Sequence, residues 1–304
     1  MPRALVTVAD ATPPIELEYD TFGEAADPAV LLIMGTGMSL VAWDEDICEA
    51  LAAEGYFVVR YDHRDIGRST KVAFADDPAE VIVAAVLGGP QKPPYTAVDM
   101  AGDAVGLLDH LGIGRAHLVG VSLGGIIGQW VAILHPDRVA TLTAIMSTTG
   151  EPGVGQPDPA VLPALLAESE PGLDGALANS VQLRRALAGD HFVEDDVRRA
   201  AIRAWQHAEG PQNRAHHLAA GLHTPSCADR LVDVTAPTLV IHGGADRLVD
   251  PSGGRRVAEL VPGARLMLVE GMGHDLPAPN RPAVIDAIIA HTRSHSAAAV
   301  PLDA

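Results

Sequence analysis

The sequence predicts an α/β fold: a mainly parallel, eight-stranded sheet flanked by helices, with a helical insertion after the sixth strand. Three observations carry this. Eight short strand-like runs punctuate the 304 residues. From the third onward they are continuous apolar stretches, mostly separated by helical patterns, as strands buried on both faces of a parallel sheet require. A serine between two glycines, Gly120-Val121-Ser122-Leu123-Gly124, follows one such run and precedes a helix-patterned segment. Between Thr149 and Asp233 the texture changes: helical patterns alternate with Gly/Pro breaks and carry no clear buried strand.

The runs lie near Ala4–Val8, Ile15–Tyr19, Ala29–Ile33, Phe57–Tyr61, His117–Val121, Leu142–Met146, Thr238–His242 and Arg265–Val269. The first two, joined by Ala11-Thr12-Pro13-Pro14, read as an antiparallel hairpin. Thr96-Ala97-Val98-Asp99 resembles a capping box with Asp in place of Glu, and opens a helix through Leu111. Apolar residues at helical spacing run from Leu123 to His135 and stop at Pro136. Glu151 to Pro157 is a Gly/Pro-rich hinge. Past it, Pro171-Gly172 and Gly210-Pro211 interrupt the helices of a cap expected over 149–233. The core is then 1–148 and 234–293, with an alanine-rich tail at 294–304. The cap is expected to roof the site and to select a substrate larger than acetate.

The charge balance excludes some partners. Acidic residues number 39 against 21 basic, a net charge of −18, which disfavours nucleic acid and anionic membrane surfaces. The N-terminal apolar run is short and broken by Asp10, and the longest uncharged run, Pro28–Trp43, falls short of a membrane span. A cytoplasmic protein without stable membrane insertion is the expectation. Cys48 and Cys227 are isolated, so neither a disulfide framework nor a zinc site is expected. Cys48, on a helix, reads as a small buried apolar residue.

The chemistry centres on Ser122. A serine hydroxyl is a poor nucleophile and needs a base beside it. A sharp strand-to-helix turn lifts it above the sheet, and flanking glycines keep Cβ atoms out of that turn. The partners expected downstream are an acid and then a histidine. Asp246 directly follows the strand-end glycines Gly243-Gly244, with Asp250 as the alternative acid. His274 stands in Gly271-Met272-Gly273-His274, on a Gly-rich loop after the last strand.

These pieces resemble the α/β-hydrolases. Together with Leu32-Ile33-Met34-Gly35-Thr36-Gly37, Arg60-Tyr61-Asp62-His63-Arg64-Asp65-Ile66-Gly67-Arg68-Ser69 and His135-Pro136-Asp137-Arg138-Val139, they are similar to the actinobacterial branch of carboxylesterases and methylesterases that includes aclacinomycin methylesterase. The resemblance runs from about residue 15 to residue 292 and is weakest in the middle. It implies an α/β-hydrolase fold, a Ser122–His274–Asp246 triad and an acyl-enzyme intermediate. It also implies an oxyanion hole made by the amides of Leu123 and Thr36, with Gly35 and Gly37 as neighbouring candidates for the second donor. Where many relatives have histidine before the glycine of that loop, this chain has Met34. A small-molecule ester is the implied partner, and no metal or organic cofactor is required. Lactones, thioesters, phospholipids, carbon-carbon bonds and polyketide methyl esters are served by the same triad. A cofactor-free haloperoxidase or perhydrolase is the rival from another class, and a binding-only protein a third.

The remaining polar and apolar candidates have duller readings beside the functional ones. Asp62-His63-Arg64-Asp65 is expected to be structural, its charges pairing with each other and with nearby loops. Asp275 reads as a helix or loop cap. His216, His217 and His223 are expected on solvent-facing helix positions. Met34, Met38, Trp43, Met146, Leu248 and Met272 fall near strand ends, where they line an apolar substrate pocket or belong to the core.

Overall fold

The computed structural model describes residues 1–6, 14–87, 89, 91–167 and 169–295. Its strands are β1 (Arg3–Val6), β2 (Ile15–Phe22), β3 (Ala29–Ile33), β4 (Phe57–Tyr61), β5 (Ala116–Val121), β6 (Val139–Ile145), β7 (Thr238–Gly243) and β8 (Arg265–Val269). They form an eight-stranded sheet in the order β1-β2-β4-β3-β5-β6-β7-β8. β1 pairs antiparallel with β2, and β2 antiparallel with β4; every later pairing is parallel. The expected strand positions Thr7 and Val8, most of the hairpin loop and the tail from residue 296 onward lie outside the described residues.

The apolar run of β3 shows why continuous hydrophobicity means a two-sided core. Successive side chains of a strand point to opposite faces. Leu31 and Ile33 meet Met100 and Leu107 of α3 (Ala97–His110) and Ile127 and Val131 of α4 (Leu123–Leu134). Val30 and Leu32 share a buried cluster with Ile47 and Leu51 of α1 (Glu45–Ala53) and Val284 and Ile288 of α11 (Arg281–Arg293). The start of α3 is tied as its sequence indicates: Asp99 Oδ2 accepts from the Thr96 amide at 2.7 Å and from its hydroxyl at 2.8 Å. Because β3, β5, β6, β7 and β8 run parallel, their carboxyl ends share one edge, the edge where such sheets build their sites.

Between β6 and β7 lie α5 (Leu162–Leu165), α6 (Gly172–Leu187), α7 (Glu194–His207), α8 (Arg214–His223) and α9 (Ala228–Leu231). α6 packs on α7, while α8 packs on α2 (Pro78–Leu87), a helix outside this stretch. No helix among the described residues is long and apolar enough to cross a membrane.

Four fully buried histidines give the fold a pH dependence. Burial lowers the pKa of His63 to about 3, and those of His117, His217 and His291 to about 4. In the unfolded chain each takes up a proton near pH 6.5. The unfolded state therefore binds more protons below that pH, and stability present above it is lost as pH falls toward 4. At pH 5 the loss is about 2 kcal/mol per histidine. The four together rival the 5–15 kcal/mol of a typical domain. Circular dichroism against pH is expected to show unfolding near pH 5; a protein still folded at pH 4 would contradict the neutral burial of these rings.

Candidate active site

Ser122 follows β5 in a conformation that L-residues rarely adopt, φ 56° and ψ −117°. The turn is over-determined by its surroundings. The Ser122 amide donates to Ile145 O of β6 at 2.9 Å, and its carbonyl accepts from the Gly125 amide and the Ser147 hydroxyl, each at 2.9 Å. A Cβ on Gly120 would overlap the Gly124 carbonyl, and one on Gly124 would overlap the Ile33 carbonyl at the end of β3. The glycines are thus required by close backbone approach, and the strain at Ser122 turns its hydroxyl out of the sheet.

His274 meets that hydroxyl. Its Nε2 lies 3.0 Å from Ser122 Oγ, and its Nδ1 lies 2.7 Å from Asp246 Oδ2. The other oxygen, Asp246 Oδ1, accepts from the Leu248 and Val249 amides at 2.9 Å each. Burial would raise the Asp246 pKa, but the His274 charge and hydrogen bonds from His242, His274 and the Val249 amide outweigh it and hold the carboxyl well below its ordinary range. An ionised Asp246 only accepts, so Nδ1 of His274 carries the proton and Nε2 is left to accept from Ser122. Asp250 stands apart: it is exposed and caps the Ser252 amide at 2.9 Å, at the start of α10 (Ser252–Leu260).

The histidine loop is seated by the segment after α6. The His274 amide donates to Leu187 O at 2.9 Å, and the Asp190 amide to Gly271 O at 2.8 Å. A Cβ on Gly273 would overlap Leu187 O and the Gly189 amide. Glycine therefore serves close chain approach here.

The loop after β3 lies against the nucleophile. A Cβ on Gly35 would stand 3.3 Å from Ser122 Cβ. Two buried histidines hold this loop. His63 Nε2 donates to Met34 O at 2.9 Å, and the Gly37 amide donates to His217 Nδ1 at 3.1 Å. His217 Nε2 in turn lies 2.8 Å from Arg64 O, which fixes its proton on Nε2. Gly37 is thereby engaged, whereas the Thr36 and Leu123 amides donate to no acceptor among the described residues.

Several expectations need correction. His216 and His217 are buried, and His223 is half-buried with its Nε2 on Val81 O at 3.0 Å; none is a solvent-facing position. The reason is the turn at 62–69, whose charges pair with the insertion more than with each other. Asp62 Oδ2 lies 2.6 Å from His207 Nε2 of α7, and Asp65 Oδ2 lies 2.8 Å from His216 Nδ1 of α8. Arg64 forms a buried bidentate pair with Asp103 of α3, both contacts 2.6 Å. Asp275 is half-buried, and its Oδ1 has no hydrogen-bond partner. Met34, Trp43, Met146 and Met272 are buried in the core on the α1/α11 face, with Met38 packed against it, and Leu248 is half-buried beside Asp246. Cys48 and Cys227 are buried, and burial pushes both thiols up to about 12. Among the described residues no three His, Cys, Asp or Glu side chains converge to hold a metal ion.

Comparison with known proteins agrees with this architecture. Residues 28–278 match the family model described as alpha/beta hydrolase fold. The chain is 33% identical to a rhodomycin D methylesterase of Streptomyces peucetius, over 97% of this chain and 99% of that one. It is 27% identical to 3-oxoadipate enol-lactonase 2 of Acinetobacter baylyi, over 84% of this chain and 85% of that one. A thermophilic esterase from Thermogutta terrifontis superposes with a TM-score of 0.68 at 23% identity, covering 97% of this chain and 100% of that chain, and shows the fold. A parallel sheet whose elbow, acid loop and histidine loop meet at one edge, matched over most of its length, means that the chain belongs to the α/β-hydrolase fold family.

Proposed function

We propose that Ser122, His274 and Asp246 act as nucleophile, base and orienting acid in the hydrolysis of carboxylic esters. The observation that carries the reading is the continuous relay from Asp246 through His274 to Ser122 Oγ. The enzyme is a carboxylic ester hydrolase of its family. Ser122 attacks the ester carbonyl as His274 Nε2 takes its proton. Asp246 stabilises the imidazolium, and the amides of Thr36 and Leu123 receive the developing oxyanion. His274 returns the proton to the leaving alcohol. A water activated by the same imidazole then releases the acid. Side chains and amides suffice for this route.

The insertion over 149–233 acts as the cap. It supplies the seat of the histidine loop and, through His217, one end of the oxyanion loop. The rhodomycin D methylesterases favour a methyl ester as the bond cleaved. The likeness to an enol-lactonase keeps a lactone as the second reading.

The test is a hydrolysis profile on methyl and p-nitrophenyl esters from acetate to palmitate, with a lactone and a thioester beside them, and labelling by a serine-directed phosphonate. The expected result is saturable ester turnover, with the phosphonate mapped to Ser122 by peptide mass spectrometry. Failure to label would favour a binding-only protein, and peroxide-dependent halogenation without ester turnover would favour the perhydrolase reading.

A further inference from the structure

We propose that Arg184 and Arg214 form a subsite for a carboxylate carried by the substrate, so that the natural ester is itself an anion. This inference rests on the ester-hydrolase reading for its chemistry. The chain has a net charge of −18, and its arginines mostly meet a carboxylate: Arg64 on Asp103, Arg185 on Glu194, Arg203 and Arg281 on Asp44, Arg247 on Asp158. Arg184 and Arg214 are among those that do not, and they are the two that stand at the loop after β3. Among the described residues neither has a carboxylate within ion-pair distance. Arg184 Nη2 lies 3.1 Å from Met38 Sδ. Asp44, one of the two carboxylates that Arg184 feels at longer range, is already taken by Arg203 and Arg281; the other is Asp275.

Their place in the fold gives the pair its meaning. Arg214, the first residue of α8, lies against the oxyanion loop: a Cβ built on Gly37 would fall 2.6 Å from its Cγ and 2.8 Å from its Nε. Arg184, on the last turn of α6, touches Met38, the next residue of that loop. The same loop stands against Ser122 at Gly35. Two guanidinium groups from different helices thus flank the loop that faces the nucleophile. Arg184 also faces Asp275, next to His274. Burial lowers the pKa of both arginines, and the charge of Arg184 lowers that of Arg214 further. Arg214 is nevertheless exposed. Two like charges held side by side repel unless an anion joins them, and the exposure of Arg214 leaves a way for one to arrive. Planar guanidinium groups are suited to carboxylates. The Cβ, Cγ and Nε of Arg214 all cover Gly37, so the guanidinium itself starts at the loop.

The substrate class is a half-ester of a dicarboxylic acid or an equivalent carboxylate-bearing ester. The test compares kcat/KM for monomethyl glutarate and monomethyl adipate with that for methyl pentanoate and methyl hexanoate. In the wild type the half-esters are expected to be favoured by about tenfold or more, the scale of one charge-assisted contact. In Arg184→Met/Arg214→Met, which keeps apolar stems in place, the ratio is expected to fall to one or below, mainly through KM of the half-ester. Two measurements do not depend on the arginine variant folding, and the second does not depend on turnover. Salt raised from 0.05 to 0.5 M is expected to raise wild-type KM for the half-ester and to leave that for the neutral ester. Calorimetry of adipate on Ser122→Ala protein is expected to show saturable binding. Neutral esters turned over as well as half-esters, with no adipate binding, would remove the subsite and leave the ester reading intact. Adipate binding that the arginine variant abolishes, without turnover of any ester, would remove the ester reading and leave the subsite.

Discussion

Ser122→Ala is expected to abolish ester hydrolysis while leaving the fold intact. Without the hydroxyl there is no acyl-enzyme, and the oxyanion donors and substrate contacts alone leave only a residual rate. Losses of about 10⁴- to 10⁶-fold in kcat are the scale for removing such a nucleophile. The structural cost is small for identifiable reasons. Oγ makes one hydrogen bond, to His274, and the side chain is only half-buried. The backbone strain at φ 56° is held by bonds to Ile145, Gly125 and Ser147, which alanine keeps. Melting temperature is expected to move by a few degrees at most, against a kcat that falls to background. Retained turnover on the ester that the wild type cleaves best would remove Ser122 from the mechanism, and an unfolded variant would contradict the account of the elbow.

The readability of this chain follows the range over which each feature is decided. The sheet was legible because every strand from β3 to β7 is buried on both faces, leaving a mostly apolar run in the sequence with only a buried Arg60, His117, Thr141, Thr143 or His242 inside it. The elbow was legible because its glycines answer to backbone atoms within a few residues, or to the end of a neighbouring strand. The histidine clamp on the oxyanion loop was not. His217 sits on a helix of low hydrophobicity, where the local pattern suggests solvent, and only the docking of α8 on the 62–69 turn buries it. The stretch Asn213-Arg214-Ala215-His216-His217 was the available signal, four polar groups in little more than one turn with no acidic residue among them. Arg184 and Arg214 were equally opaque. An arginine's significance here is the absence of a partner, and sequence shows neighbours along the chain, not across it. The histidine partners of Asp62 and Asp65 lie about 145 to 150 positions away, beyond the nearby loops to which the sequence reading assigned them.

Asp246→Asn is expected to lower kcat by about 10⁴-fold, the scale for losing the acid of a serine triad, whereas Asp250→Asn is expected to stay within about twofold of wild type. The difference lies in protons. Asp246 only accepts, so it draws the His274 proton to Nδ1 and frees Nε2 to act as base. Asparagine can turn its NH₂ toward His274, and its carbonyl toward the Leu248 and Val249 amides that now bond Oδ1. Nδ1 then accepts, the proton moves to Nε2, and two donors face each other at Ser122 Oγ. Asp250 has no part in this relay. It is exposed and bonds the Ser252 amide, a capping role that asparagine performs nearly as well. The two variants therefore separate a residue that sets a tautomer from one that starts a helix, although only four positions separate them. The combined Ser122→Ala/Asp246→Asn variant sharpens the point. If Asp246 acts only through His274 upon Ser122, its loss costs nothing further once the hydroxyl is gone, because groups that act as a unit are not additive. Equal residual rates in the single Ser122→Ala and the double variant are expected in initial-rate measurements at high enzyme concentration. A further loss in the double variant would mean that Asp246 also supports the oxyanion loop or the substrate directly.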